Sequence, residues 1–125
     1  MIMAMLRGER VRPEERRSSL TYTLEIRGDA RTKAHVTLGL YPNGKVCEVF
    51  VTVAKIGSDQ RAAYEAWAMT ASKALQHGMP VSVLVKATRY LSDTTAGDLR
   101  WPDGRSTRCS SLWDAIAQLL EEVAG

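Results

Sequence analysis

The chain alternates between apolar and polar residues in three successive segments, at about residues 20–27, 33–41 and 46–54. A period of two is typical of strands with one buried face. A polar turn joins the first two segments, and Asn43-Gly44, a strong hairpin signal, joins the second to the third. These short connections predict a three-stranded antiparallel meander with one apolar face. The pattern places eight polar or aromatic residues on the other face: Thr21, Thr23, Glu25, His35, Thr37, Tyr41, Phe50 and Thr52.

An alanine-rich segment follows, in which apolar residues recur at helical spacing over about residues 58–77. Ser58 is a good N-cap for a helix here, and Gly78 is a natural residue just beyond its end. The apolar face of the meander needs a cover, and we expect this helix to supply it.

Two further helices are predicted towards the end of the chain. Pro80 favours a short helix over about residues 80–90, although the β-branched residues of this segment also fit a strand. A capping-box-like start at Ser111 predicts a last helix over about 111–123. The sequence therefore predicts an α+β fold in which the meander packs against three helices.

The length of 125 residues fits one domain with its own core. We expect a charged N-terminal arm at residues 1–19 and a single α+β domain at 20–125, with a long polar loop at 92–110. The alternative for the arm is a solvated tail.

The amino-acid composition adds little to the predicted fold and excludes only some classes of partner. The net charge of +3 is mild, and most small basic domains bind no nucleic acid, so we expect no nucleic-acid partner. Two cysteines make no disulfide framework, and no signal peptide or membrane-spanning run is present, which predicts a cytoplasmic protein without a membrane partner.

No convincing catalytic set stands out, and we therefore expect no enzyme activity, cofactor or metal. His35 and His77 lack metal ligands at suitable spacing. Cys47 lies on the apolar face of a strand, which favours a core residue over a nucleophile. Cys109 falls in or near the polar loop, where it could be reactive, but no partner residue is close in sequence.

Two groups of residues are candidates for binding an anion. The first is the joint between the third strand and the long helix, where Lys55, Gly57, Ser58 and Arg61 combine positive charge with a helix N-terminus. The alternative is a simple strand-to-helix turn, and Asp59 opposes an anion.

The second group lies at the end of the second predicted helix and in the polar loop. Arg89, Arg105 and Arg108, with Arg100 between them, could pair with phosphate, while Trp101 could stack on a base. The alternative is a set of scattered arginines on a solvated loop.

The order and spacing of several motifs resemble the C-terminal region of adenosylcobalamin-dependent (class II) ribonucleotide reductases, which contains a TSCPD-type domain. The resemblance covers about residues 10–91 and includes "RVRPEERRSSLTYTLEI", "GLYPNG", "EVFVTVAKIGS" and "SKALQHGMP". Near the end the chain departs from the family pattern, because it has "STRCSSLWD" where relatives have "TSCPD". Only Thr107 and Cys109 correspond to that motif, and loosely.

The resemblance implies an α+β accessory domain and does not imply reductase activity, because the radical-bearing barrel belongs to another part of those enzymes. We expect a non-catalytic domain that binds a nucleotide-type or phosphorylated ligand, with a regulatory or sequestering role. Small phage proteins that sequester signalling nucleotides have a broadly similar layout. The alternative is a protein-interaction module that forms homo-oligomers or acts as an accessory subunit of a ribonucleotide reductase.

Overall fold

Five antiparallel strands form one sheet in the computed structural model, which describes residues 2–124. The order of the strands across the sheet is β3-β2-β1-β4-β5. The elements are, in chain order, α1 (Ile2–Leu6), β1 (Ser19–Arg27), β2 (Arg31–Leu40), β3 (Val46–Val53), α2 (Ser58–Gln76), α3 (Val81–Thr88), β4 (Gly97–Arg100), β5 (Ser106–Cys109) and α4 (Leu112–Ala124). The predicted α+β class, the meander of β1, β2 and β3, and the three helices are confirmed.

The prediction of a polar loop over residues 92–110 is wrong in its centre, because β4 and β5 form a hairpin there that extends the sheet. Backbones approach very closely where β4 joins β1. A Cβ atom on Gly97 would lie 2.4 Å from the carbonyl oxygen of Arg27, and one on Gly28 would lie 2.0 Å from that of Ala96. Only glycine allows this crossing, so Gly28 and Gly97 permit the pairing of β1 with β4.

The core lies on one face of the sheet, where buried side chains alternate along each strand as the sequence predicts. Leu24, Val36 and Val49 are fully buried in it, and α4 contributes Ile116 and Leu120. All of these residues belong to one apolar cluster, which packs sheet and helices together. No helix among residues 2–124 is long and apolar enough to cross a membrane.

The long helix α2 lies along the edge strand β3 and binds its outward backbone groups. The Ser72 hydroxyl accepts a hydrogen bond from Val49 N–H at 2.9 Å and donates to Val49 C=O at 3.2 Å. The Gln76 side-chain amide donates to Cys47 C=O at 3.0 Å. These side chains cover part of an edge that would otherwise be open to pairing with another strand.

The structure differs from the predictions at the start of α2 and at the side chain of Tyr41. Ser58 is the first residue of α2 rather than its cap, because Gly57 occupies the N-cap position and no side chain caps the helix. Tyr41, predicted on the polar face, is only 6% exposed. Its hydroxyl donates to Val11 C=O at 2.5 Å, which holds the charged segment before β1 against the domain.

Candidate functional site

The joint between β3 and α2 is an exposed turn. Lys55 has a left-handed backbone with φ of 58°, and Lys55, Gly57, Ser58 and Arg61 are all exposed. The Arg61 N–H already donates to Gly57 C=O at 3.0 Å in the first turn of the helix. A Cβ on Gly57 would meet no atom within 4 Å, so the turn does not require a glycine. The local structure is thus explained by the change from strand to helix.

Arg89, Trp101 and Arg105 lie together in a groove of about 540 Å³ between the β4–β5 hairpin and α4, here called the hairpin groove. Trp101 is buried, and its indole N–H donates to the Thr107 hydroxyl at 2.9 Å. Arg105 lies over the indole, 5.0 Å from the ring centroid, and so occupies the ring face that a base would need.

Carboxylates match the cations of the hairpin groove. Arg105 forms ion pairs with Asp103 at 2.7 Å and with Glu122 at 2.8 Å. Arg89 pairs with Asp114 at 2.5 Å and lies 3.7 Å from Glu121. The groove therefore has no surplus of positive charge for an anion.

The Arg89–Asp114 pair also has a structural role, because it joins the end of α3 to the start of α4. Asp114 accepts hydrogen bonds from the N–H groups of Tyr90 at 2.9 Å and Ser110 at 2.8 Å. Burial raises the pKa of Asp114, but these two backbone bonds and the bond from Arg89 outweigh it, and the pKa lies below its ordinary value. The carboxylate is thus held ionised in a buried position.

Arg108 lies in neither of these places. It stands on the outward face of β5, opposite Asp98 of β4. No residue of the joint lines the hairpin groove. The two predicted groups of anion-binding residues therefore form no common site.

The face of the sheet opposite the core carries a concentration of cations that sequence reasoning did not identify. The pairing register aligns Arg31, Arg27, Asp98 and Arg108 in one row across four strands, and Lys33, Glu25, Arg100 and Ser106 in the next. We call the five cations of these two rows the basic patch: Arg27, Arg31, Lys33, Arg100 and Arg108. All five are exposed.

Only two carboxylates stand among the five cations, which leaves a charge of +3 on the basic patch. Glu25 lies 3.3 Å from Arg27 and 3.2 Å from Arg31. The hydrogen bond from Arg27, with the nearby charges of Arg31 and Arg100, lowers the pKa of Glu25. Within residues 2–124, no carboxylate lies within ion-pair distance of Lys33 or Arg100.

Hydroxyl and aromatic side chains continue the same face beyond the basic patch. The Thr23 hydroxyl lies 3.0 Å from His35 Nδ1, and the Thr21 and Thr37 hydroxyls are 3.3 Å apart. Phe50 is 51% exposed beside them. The meander prediction placed these residues correctly, and alternation along β1 and β2 also contained the signal for Arg27, Arg31 and Lys33.

A larger, apolar groove of about 1360 Å³ lies on the other side of the molecule, among the helices and the β2–β3 turn, and here it is called the apolar groove. Its walls include Met3 and Met5 of α1, Leu75, Met79 and Tyr90. Sequence reasoning missed this groove, because it assigned residues 1–19 to an arm without a packing partner.

Neither cysteine is placed for nucleophilic chemistry. Burial raises the pKa of Cys47 to about 11 and also raises that of Cys109. The part of the chain that the structure describes contains no group of three His, Cys, Asp or Glu side chains that could hold a metal ion.

Comparison with known proteins gives one family and one curated relative. The model of the TSCPD domain family matches residues 7–124. A vitamin B12-dependent ribonucleotide reductase from Rhodopirellula baltica is 33% identical over 111 residues, which cover 89% of this chain and 10% of the relative. The chain thus spans about a tenth of the length of that reductase. No solved structure matches the chain.

Proposed function

The chain belongs to the TSCPD domain family, and we propose that it is a non-catalytic accessory domain that binds the phosphate groups of a nucleotide-type ligand on its open sheet face. The observation that carries this proposal is the basic patch, where five exposed cations surround two carboxylates.

The geometry of the sheet favours a ligand with several negative charges. Neighbouring strands are about 4.8 Å apart, so cations on four adjacent strands cover about 15 Å. Lys33 and Arg100 flank Glu25 on the two neighbouring strands, where a phosphate group could contact both. Arginine guanidinium groups bind phosphate through two parallel hydrogen bonds, and lysine adds a point charge.

The remainder of the open face suits the sugar and base of a nucleotide. The hydroxyls of Thr21, Thr23 and Thr37 and the ring of His35 offer hydrogen-bonding groups next to the basic patch. Exposed Phe50 offers an aromatic surface for stacking. Of the residues first predicted to bind phosphate, this proposal retains Arg100 and Arg108 and replaces the others with Arg27, Arg31 and Lys33.

The other predicted positions are weaker candidates for phosphate. In the hairpin groove, a ligand would have to displace Arg105 from Trp101 and would face Glu121 and Glu122. At the joint, Asp59 stands in the first turn of α2 and opposes an anion.

The proposal of a non-catalytic role rests on the chemistry of the available side chains. Both thiols are buried and have raised pKa values, which suppresses the thiolate that a nucleophile needs. Both cysteines are also free, in keeping with the reducing cytoplasm that we propose as the compartment.

A second candidate function is docking to a ribonucleotide reductase, or self-association into a homo-oligomer. The observation that favours docking is the apolar groove, in whose walls Met3 and Tyr90 are 65% and 71% exposed. Docking and phosphate binding use different faces of the molecule, so one protein could combine them.

Calorimetric titration of the protein with ATP, dATP, cyclic dinucleotides, ADP-ribose and inorganic triphosphate tests the first proposal. We expect binding of at least one of them, weakened at least tenfold in a Lys33→Gln/Arg100→Gln double variant. Lys73→Gln, on the exposed side of α2, is the matched control and should bind as the wild type does. Absence of heat with every compound in a folded sample would exclude the proposal.

A further inference from the structure

The apolar groove is formed by the ends of several elements and is wider than a small ligand requires. The end of α2, α3, the last turn of α4, the β2–β3 turn and α1 all contribute to its walls. Pockets for small molecules have volumes of about 300–1,000 Å³, and the volume of about 1360 Å³ exceeds that range. A peptide segment is therefore a better match in size than a metabolite.

The walls of the groove carry the side chains that are typical of protein interfaces. Methionine and tyrosine are enriched in the buried centres of interfaces, and Met3, Met5, Met79 and Tyr90 all line this groove. Met79 is 38% exposed and Tyr90 71% exposed, so both side chains are accessible to a partner.

The backbone of Tyr90 is held in a strained form at the edge of the groove. Its φ of 70° is unusual for a bulky residue, and the bond from its N–H to Asp114 fixes this conformation. The guanidinium of Arg89 lies 4.2 Å from the centroid of the Tyr90 ring and supports it. The fold thus fixes the backbone that carries this exposed aromatic side chain at the groove.

The charge at the rim indicates the kind of partner. Lys45 and Lys86 line the groove, and neither forms an ion pair with a carboxylate of residues 2–124. Glu121, the acidic residue in the lining, faces Arg89 at 3.7 Å. A partner with acidic residues beside an apolar stripe would complement this surplus of positive charge.

One wall of the groove is itself a short helix of the chain, α1. Met5 of α1 packs against Gly78, where an added Cβ would lie 3.1 Å from the Cβ of Met5. The curated relative is about ten times longer than this chain, so a domain of this family has a large reductase body beside it in that protein. We propose that the apolar groove docks an amphipathic helix with an apolar stripe and acidic flanks, supplied by the body of a vitamin B12-dependent ribonucleotide reductase.

This inference rests on the docking role given above as the second candidate function. Helices bind to such grooves through apolar residues at positions i, i+3, i+4 and i+7. Met79 and Tyr90 would contact that stripe, and Lys45 and Lys86 would contact the acidic flanks.

The test uses two probes in a binding assay by interferometry. One is the purified full-length Rhodopirellula baltica reductase. The other is an 18-residue peptide with a Leu stripe and Glu flanks, compared with a scrambled peptide and a Lys-flanked peptide. We expect both the full-length reductase and the Glu-flanked peptide to bind, and the scrambled and Lys-flanked peptides to bind at least tenfold more weakly than the Glu-flanked peptide.

Variants at exposed positions locate the binding surface without disturbing the core. Met79→Lys and Tyr90→Asn should each weaken binding at least tenfold, and Lys86→Glu should weaken it at least threefold. Asparagine is chosen at position 90 because it tolerates a left-handed backbone. Met69→Lys is the matched control, because Met69 is 62% exposed on α2 and does not line the groove. It should change binding less than twofold.

Four results would overturn the inference. The first is that neither probe binds, the second is that the scrambled peptide binds as tightly as the Glu-flanked peptide, and the third is that the Met79→Lys variant binds as the wild type does. The fourth is self-association of the protein that Met79→Lys abolishes, because this result would identify a second copy of the chain as the occupant of the groove. The Lys33→Gln/Arg100→Gln variant separates this inference from the phosphate proposal. This variant should bind the reductase and the Glu-flanked peptide as the wild type does, and loss of docking in it would assign docking to the sheet face instead.

Discussion

Asp114 is a buried carboxylate whose surroundings stabilise its ionised form. It is 1% exposed and accepts bonds from Arg89, Tyr90 and Ser110, so it ties α3 to α4 and to the end of β5. Removing the charge from a buried ion pair leaves Arg89 without its buried partner. Asp114→Asn should therefore lower the free energy of unfolding by about 3 kcal/mol.

Urea unfolding of the variant measures this loss, with Asp103→Asn as the control. Asp103 forms an exposed pair with Arg105, and its removal should lower the stability much less than Asp114→Asn does, because solvent screens exposed ion pairs. Equal stability of Asp114→Asn and the wild type would contradict the structural role of the pair.

The same carboxylate makes stability depend on pH in the acid range. The folded-state pKa of Asp114 lies below the unfolded value of about 3.9. Its contribution is therefore fully present above the unfolded pKa and is lost as the pH falls through the folded pKa. Unfolding followed between pH 7 and pH 2 should show a steeper acid loss in the wild type than in Asp114→Asn. Parallel curves would contradict this assignment.

The two cysteines should be unreactive in the folded protein. Both are buried and their pKa values are raised, that of Cys47 to about 11, so little thiolate is present at neutral pH. Mass spectrometry after brief treatment with iodoacetamide at pH 7.5 should find no modification, and two modified cysteines after treatment in denaturant. Rapid alkylation of native Cys109 would restore it as a candidate nucleophile.

Single residues were harder to assign from the sequence than the strands that carry them. Arg89 and Arg105 were candidates for phosphate binding, but their carboxylate partners come from α4 and from the hairpin turn, and only the fold shows that these charges cancel. Lys33 and Arg100 are far apart in sequence and become neighbours of Glu25 through two different strand pairings.

At the scale of elements, the joining of β4 to β1 depends on close backbone contact. Gly97→Ala would place a Cβ 2.4 Å from the Arg27 carbonyl oxygen and should destabilise the protein by about 1–3 kcal/mol. The hairpin that carries Arg100 and Arg108 should detach first. Thermal unfolding and the amide exchange rates of residues 97–109 measure both effects.

Gly57→Ala is the matched control for that substitution. Gly57 has φ of −68°, and an added Cβ would meet nothing within 4 Å, so stability should change by less than about 0.5 kcal/mol. If both alanine variants were equally stable, the close approach of β4 and β1 would not limit the fold.

The meander and the helices were predictable because their periodic patterns are long enough to be unambiguous. The β4–β5 hairpin was missed because each strand has only four residues and one apolar side chain, Leu99 in β4 and Cys109 in β5, which is too few to show an apolar alternation. Such short strands form because β4 pairs with β1, so their formation depends on tertiary contacts rather than on the local sequence. The N-cap at Gly57 differs by one residue from the predicted cap, within the usual uncertainty of helix ends.

At the scale of the whole molecule, the charge is unevenly distributed. The basic patch has a charge of +3, equal to the formal net charge of the entire chain. The apolar groove lies on the helical side and the patch on the open sheet face, so a protein partner and an anionic ligand would not compete for one surface. Composition alone reports a mild net charge, and only the sheet register shows where it is concentrated.

The distribution of charge also predicts how ligand binding depends on salt. The cations of the basic patch are exposed, and interactions of exposed charges are screened over about 8 Å at physiological ionic strength. Raising the salt concentration from 50 mM to 500 mM should therefore weaken nucleotide binding at least tenfold in calorimetric titrations. Binding that is independent of salt would point to an apolar site instead.

The most direct test of phosphate binding at the basic patch is a titration of the ¹⁵N-labelled protein with ATP, or with whichever nucleotide gives heat in calorimetry, followed by NMR. We expect the largest amide shifts in β1, β2, β4 and β5, at and beside Arg27, Arg31, Lys33, Arg100 and Arg108. Largest shifts at Lys55–Arg61 would favour the joint, and largest shifts around Arg89, Trp101 and Arg105 would favour the hairpin groove. Either result, or the absence of shifts with every nucleotide, would contradict the account.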